Sequence, residues 1–407
     1  MDFLFLHHKL IIGGIETLMA RMARWLCDQG HNVVVVVGEL GPGASLFHNS
    51  KSLVELGHDF ERLKTASPER AASLLRQHDL LRRVDVIVAF SGSALCAGLG
   101  IKSAMNPPAV VCAGVWTPGT YCARGIRGML ADPSGVFFRN LLLPSCRLFP
   151  SSSIQAQVES AVGRKVPGVV WPLAVDGTRF RCVVRRPIHG LIVSVGRLGD
   201  MKTYNLWMPQ VVKELKQRGL RVQWHVYGDG PDRKRIEELV SAAGVGQQVR
   251  LMGTLDYSRF PEVLASAFAF VGMGTSLIEA SFAGVPGIPA IIYSRQPQTY
   301  GYFSDLPDYA CGDVLDRSMF PVADLLERLL TMTPEQYADA ARSTRRHATR
   351  FEMDPLMRDF FEMVTRMPHS TGSWWPVWLC RMSRMSIRLY NSDVLRPIRK
   401  QLSRQSR

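Results

Sequence analysis

Residues 272–289 read GMGTSLIEASFAGVPGIP, and the residue types in this stretch point to anion binding. Gly272 and Gly274 bracket Met273 and leave the backbone free for positive φ and for close approach of a ligand. Thr275 and Ser276 are N-cap candidates for a helix through Leu277, Ile278, Glu279, Ala280, Phe282 and Ala283, which Gly284 and Pro286 then stop. A glycine-rich helix start behind an apolar strand holds unpaired N–H groups at the positive end of the helix dipole. Phosphate is therefore the first ligand to consider. Glu279, one turn inside, would repel that phosphate but can accept hydrogen bonds from an adjacent ribose diol. The same stretch also fits an ordinary strand, loop and buried helix, so its meaning depends on its surroundings.

Those surroundings have an α/β rhythm. Residues 191–195, 222–227, 249–252, 267–271 and 288–293 read as strands, with helices at 206–218, 233–243 and 257–266 between them. Strands alternating with helices of that length specify a parallel sheet covered on both faces. The first half repeats the pattern. A strand at 3–6, a turn at Gly13 and Gly14, a helix over 15–29 and the apolar strand 31–38 form a right-handed βαβ unit. Further strands at 85–90 and 109–114 open into loops containing Ser, Gly or Pro, and ligands in open α/β sheets collect at such carboxyl ends. The loop 115–128 holds Trp116, Tyr121, Arg124 and Arg127, a mixture suited to a sugar face and an acidic group, or equally to a solvated loop. FPSSS at 149–153 caps a helix through Val162, and 169–180 reads as an apolar strand broken at Asp176 and Gly177. The basic, Pro-containing stretch 179–187 lacks periodicity and is the expected domain joint. Helices at 320–330, 334–350 and 353–367 close the chain.

Composition narrows the partners. At 407 residues with 46% apolar content, the chain is long enough for two domains, each with its own core. A formal charge of +14 favours a polyanion or an anionic membrane surface. No nucleic-acid partner is expected, because neither an RNP pattern, zinc-finger spacing nor a basic helix with interleaved aromatics occurs along the body. The eight cysteines contain no C-x-x-C, which suggests neither a zinc site nor a disulfide framework and suits a reducing cytoplasm. Residues 1–12 lack a basic n-region and a cleavage site, so they read as a strand and not as an export signal. No apolar run reaches the roughly 18 residues a spanning helix needs, so membrane contact would be peripheral. The tail supplies a candidate for it: Trp374, Trp375, Trp378, Leu379, Met382, Met385, Ile387 and Leu389 lie among arginines, and 371–407 carries eight Arg and Lys against one Asp. Trp beside Arg without an acidic face suits an interfacial helix at the inner face of the plasma membrane, and equally a helix docked on the body.

The second half, 193–293, resembles the nucleotide-sugar domain of the family 4 glycosyltransferases, retaining enzymes of GT-B fold. The pieces that carry the resemblance are VGRLGDMK (195–202), VYGDGPDRKRIEELV (226–240), VRLMGTL (249–255) and GMGTSLIEASFAGVP (272–286), in that order. Thinner matches in the first half are GGIE, PSSS and LAVDGTRF. The resemblance implies two Rossmann-like domains facing across a cleft, an acceptor-binding one at 1–178 and a nucleotide-sugar-binding one at 188–350. A closing helix at 351–367 and the basic amphipathic tail at 368–407 would follow. It further implies that Arg197 and Lys202 clasp the donor diphosphate and that Glu279 binds the ribose. Gly196 and Gly228 would let the nucleotide approach the backbone. The amides of Gly274, Thr275 and Ser276 would complete the cradle, with Gly14 facing it from the other domain. Two cations at a strand's carboxyl end would stabilise the departing diphosphate without a metal, and no Asp-X-Asp occurs in the chain.

Two positions depart from the family pattern. Val271 stands where the first Glu of E-x7-E belongs, and no histidine lies near Trp116, with His7 and His8 only distant substitutes. The expected activity is transfer of a sugar from an NDP-sugar, with retention, to a lipid-linked or polysaccharide acceptor such as lipopolysaccharide, capsule or exopolysaccharide. No cofactor is expected. The alternatives are another GT-B enzyme such as a sugar-nucleotide epimerase, which would need no acceptor, and a non-catalytic nucleotide-sugar-binding protein, which Val271 favours.

Overall fold

The computed structural model describes residues 1–367 apart from 12, 48–52, 81–82, 107, 118 and 200, together with residues 379, 380 and 382. The chain packs as two units. The first comprises Met1–Pro150, Ile154–Trp171 and the chain from Met357 onward, and the second Ser151–Ser153 and Pro172–Leu356. The division thus falls at Trp171, earlier than the joint expected at 179–187. Residues 178–181 form a short helix of the second unit, where Phe180 is fully buried against Phe260. Apolar anchoring, invisible in a basic stretch without periodicity, decides the boundary.

The first unit carries β1 (Asp2–Lys9), β2 (Asn32–Glu39), β3 (Leu53–Glu55), β4 (Val86–Ala89), β5 (Val110–Gly114), β6 (Arg147–Phe149) and β7 (Val169–Val170). They form one parallel sheet in the order β3-β2-β1-β4-β5-β6-β7. The five consecutive valines of β2 suit a strand covered on both faces, and most of them are fully buried. The predicted strand at 169–180 shrinks to two residues. Beyond Val170 the chain leaves the sheet, and Val175 instead makes a parallel bridge with Glu352 inside the second unit.

The loop 115–128 is mostly structural. Tyr121 is fully buried and stacks on Phe138 with centroids 4.1 Å apart, while Trp116 lies against Phe90 and edge-on to Trp171. These rings fill the core, so Tyr121 offers no face to a sugar. The helix Gly125–Ala131 takes up the loop's end.

In the second unit β8 (Leu191–Val195), β9 (Gln223–Tyr227), β10 (Val249–Gly253), β11 (Ala269–Gly272) and β12 (Gly287–Pro289) form a parallel sheet in the order β10-β9-β8-β11-β12. The strand expected over 288–293 is only three residues long, because Ile292 and Tyr293 turn away to bond Gly312 and Met201. Apolar clusters cover both sheet faces, one around Trp224, Met208 and Leu326 and the other around Phe270, Phe282 and Phe303. Each such side chain contributes about 1.5–3 kcal/mol on full burial. One buried polar chain runs across the sheet: Trp224 Nε1–H of β9 donates to Ser194 Oγ of β8 (2.9 Å), which donates to Val271 O of β11 (2.7 Å). Helix ends obey local chemistry. Thr333 and Gln336 form a capping box ahead of Pro334–Ala348, and left-handed Gly244 ends Arg233–Ala243 at the predicted residue.

Among the described residues no helix is long and apolar enough to cross a membrane. Most of the basic amphipathic tail at 368–407, including Trp374, Trp375 and Trp378, lies outside the described residues. Of that segment Leu379 and Cys380 are buried in the first unit, with Cys380 beside the buried Cys96. All eight cysteines are free thiols.

Candidate functional site

The order of the second sheet fixes where a ligand belongs. From β8 the chain runs outward through β9 and β10 and then returns to β11 on the other side, so the loops after β8 and β11 diverge at the strands' carboxyl ends. The loop after β8 contains Gly196, Arg197 and Lys202, and the turn after β11 contains Gly274, Thr275 and Ser276. Sheet topology therefore brings two stretches some 75 residues apart in sequence to one switch point.

The loop after β8 is laced to its neighbours through the backbone. Gly196 N–H donates to Tyr227 O (2.9 Å), Leu198 N–H to Asp229 O (3.0 Å) and Gly228 N–H to Gly253 O (2.7 Å). Leu198 is fully buried and anchors the loop from beneath. Gly228 sits at φ +143°, and a methyl group there would stand 2.0 Å from Gly196 O. Glycine at 228 is thus required by the packing of this loop on its neighbour.

Lys202 lies along the strand end, where a methyl group on Gly196 would fall 2.0 Å from its Nζ. Burial pushes its pKa down to about 8, while Glu279 pulls it upward. Neither Lys202 nor the exposed Arg197 makes an ion pair among the described residues. Two cations at one strand end, neither in an ion pair among the described residues and only Lys202 feeling a carboxylate, that of Glu279, suit an anion from outside the chain.

Gly274, at φ +65° with open space where a side chain would be, is the N-cap of the helix Thr275–Phe282. This corrects the expectation that Thr275 or Ser276 caps it. The Ser276 hydroxyl instead donates to Val195 O (3.0 Å), with Met273 O at 3.3 Å, and so pins the helix start to the end of β8. The expected three-amide cradle is also reduced. Gly274 N–H donates to Cys311 O (2.7 Å), which leaves the N–H groups of Thr275 and Ser276 without acceptors among the described residues.

Glu279 is almost fully buried one turn into the helix and accepts from Tyr257 Oη (2.8 Å). Tyr257 in turn carries the Arg179 guanidinium 5.1 Å above its ring. Tyr257 escapes sequence reading because it appears there only as the first residue of a helix. Val271 is fully buried in the core. Gly14 belongs to the first unit, at the start of the helix Gly14–Asp28. There the buried Glu16 carboxylate accepts from Ile11 N–H (3.3 Å) and lies 3.4 Å from His7 Nε2. The structure therefore gathers Gly196, Lys202, Gly228, Gly274, Thr275, Ser276 and Glu279 at one switch point, with Arg197 in the same loop, and places Gly14 in the other unit.

Residues 12–179 match the glycosyltransferase family 4 model and residues 188–295 the glycosyl transferases group 1 model. The chain is 33% identical over 116 residues to the 2-deoxystreptamine N-acetyl-D-glucosaminyltransferase of Niallia circulans, covering 26% of this chain and 30% of that protein. It is 26% identical over 282 residues to one component of the human phosphatidylinositol N-acetylglucosaminyltransferase, covering 66% and 55%. The chain thus spans between about a third and a half of these curated relatives. Among solved structures, Anabaena HepE in complex with UDP and glucose superimposes with a TM-score of 0.66 at 15% identity, covering 90% of this chain and all of that one. WaaG, a glycosyltransferase involved in lipopolysaccharide biosynthesis, gives 0.59 at 16%, with the same coverages. At such identities the likeness carries the GT-B fold, two α/β units each built on a parallel sheet.

Proposed function

The chain belongs to the family 4, group 1 glycosyltransferases, and from that premise we propose that it transfers a sugar from a nucleoside diphosphate sugar, with retention, to a lipid-linked or polysaccharide acceptor. The observation that carries this reading is the pair of cations Arg197 and Lys202, neither in an ion pair among the described residues, on the loop beside the open helix start at Gly274. The diphosphate would lie against these cations and the N–H groups of Thr275 and Ser276, and Glu279 would accept from the ribose hydroxyls. In the transfer step the bond from the anomeric carbon to the phosphate oxygen breaks, and the acceptor oxygen bonds that carbon on the same face. The acceptor proton passes to the departing phosphate, so no carboxylate base is required. Lys202 and Arg197 act on the charge that develops on the leaving diphosphate, where fixed cations lower the barrier most.

Thermal-shift measurements with UDP, GDP, ADP and CMP test the donor site. Selective binding to the folded state at a hundredfold excess over Kd adds about 2.7 kcal/mol of stability. One of these nucleotides is expected to raise the melting temperature and the matching NDP-sugar to be turned over with an acceptor. No shift with any of the four would refute the donor site.

The relatives' names bear on the acceptor: one acts on phosphatidylinositol and one neighbour serves lipopolysaccharide synthesis. Together with the basic tail, they support work at the inner face of the plasma membrane on a glycolipid or glycan acceptor. Replacing Arg384, Arg388, Arg396 and Arg399 by Gln in the full chain is expected to reduce co-sedimentation with vesicles containing phosphatidylglycerol. Undiminished binding would remove the tail from this role.

A further inference from the structure

One carboxylate on the rim of the second sheet, that of Asp313, has no cation to answer it among the described residues. Asp313 follows Cys311 and Gly312 in the segment after β12, and that segment is fixed against the glycine turn. Cys311 O accepts from Gly274 N–H (2.7 Å), and Gly312 O accepts from Ile292 N–H (2.9 Å). A methyl group on Gly312 would stand 2.7 Å from Met273 Cβ. Asp313 is thus held beside the turn that starts the helix Thr275–Phe282. Its Oδ2 accepts from Ser151 Oγ (2.5 Å) and Ser153 Oγ (2.8 Å), both packed with this unit.

The chemistry of this carboxylate is unusual for a structural role. Burial pushes the pKa of Asp313 above the ordinary carboxylate range, and Asp308 adds to that push against the two serine hydroxyls. Asp308 is itself engaged by Ser152 N–H (2.7 Å). No Lys, Arg or His pairs with Asp313, and its Oδ1 makes no hydrogen bond among the described residues. Asp313 is half-buried and its Oδ1 is not among the fully buried atoms, so this oxygen stays open to a donor that arrives from outside. Its two existing donors are neutral hydroxyls, and a sugar presents more of the same kind. β11 offers no competing carboxylate, since it ends in Phe270, Val271 and Gly272.

We propose that Asp313 is a specificity-determining residue, whose Oδ1 accepts a hydrogen bond from a hydroxyl of the donor sugar while Ser151 and Ser153 hold the carboxylate in place. This rests on the donor-site reading above, with the diphosphate at the Gly274 turn.

Titration calorimetry of the parent chain and of Asp313→Asn with UDP, UDP-glucose, UDP-N-acetylglucosamine, GDP and GDP-mannose tests it. The free nucleotide is expected to bind both proteins equally, within about twofold, which also shows that the variant is folded. The NDP-sugar that the parent binds most tightly is expected to bind the variant about tenfold more weakly, the usual loss of a hydrogen bond to a charged group. Ser153→Ala should weaken the same NDP-sugar by a smaller factor and leave the free nucleotide unchanged. Equal weakening of nucleotide and NDP-sugar would make Asp313 a structural residue, and unchanged NDP-sugar affinity would remove it from the site. Failure of the parent to bind any of the five would instead overturn the donor site, and this inference with it.

Discussion

Replacing Lys202 by alanine is expected to slow sugar transfer about a hundred- to a thousandfold, the usual cost of removing one preorganised charge from a developing anion. The loss should appear in kcat as well as in kcat/KM, because negative charge on the leaving diphosphate grows toward the transition state. The pH dependence supplies an independent check. Lys202 gives up its proton near pH 8 in the unliganded protein, and a bound diphosphate raises that pKa. Binding above pH 8 therefore takes up a proton, so the Lys202 contribution to nucleoside diphosphate affinity holds level below pH 7 and falls toward pH 10, approaching tenfold per unit. Arg197 keeps its charge throughout that range, and the alanine variant should show the slope removed. For folding the sign is opposite: the half-buried ammonium costs stability below pH 8, and that cost fades as pH rises toward the unfolded value of 10.5. Parent and variant profiles of equal steepness would take Lys202 out of the diphosphate site.

Gly228→Ala is expected to act through the backbone instead. Its φ of +143° disfavours any L side chain, and the added methyl would meet Gly196 O at 2.0 Å. Strain and displacement together should cost about 3 kcal/mol or more, lowering the urea midpoint of the second unit's transition. Because the carbonyl that must retreat belongs to Gly196, directly before Arg197, nucleotide affinity should fall in the fraction that remains folded. Lys202→Ala removes a charge and leaves this geometry intact, so the two variants separate electrostatics from loop position. A Gly228→Ala protein with the parent's urea midpoint would show that the loop after β8 yields freely.

Much of this site is legible in the chain because its chemistry is local. The strand 191–195, the helix 233–243 and the glycine turn at 272–274 follow from periodicity and glycine placement, and their observed bounds agree closely. Other features depend on partners distant in sequence. The hydroxyl of Ser276 reads as a cap for its own helix, yet Val195 O, 81 residues earlier, takes it. The amide of Gly274 reads as free, yet Cys311 O occupies it. Tyr121 and Trp116 read as part of either a sugar face or a solvated loop, yet Phe138, Phe90 and Trp171 pack against them. In each case a polar or aromatic group with several plausible uses is assigned by what folding brings next to it.

The sequence alone determined two parallel-sheet units and the residue types of the proposed anion site, since side-chain period, glycine freedom and helix-start chemistry operate over a few neighbouring residues. Only the tertiary structure decided which amides stay open, that Lys202 lies against Gly196 with a pKa near 8, and that Asp313 stands beside the glycine turn without a cation among the described residues. The physical reason is that burial, desolvation and hydrogen-bond competition are set by groups meeting in space, and the order of the strands in the sheet chooses which groups meet.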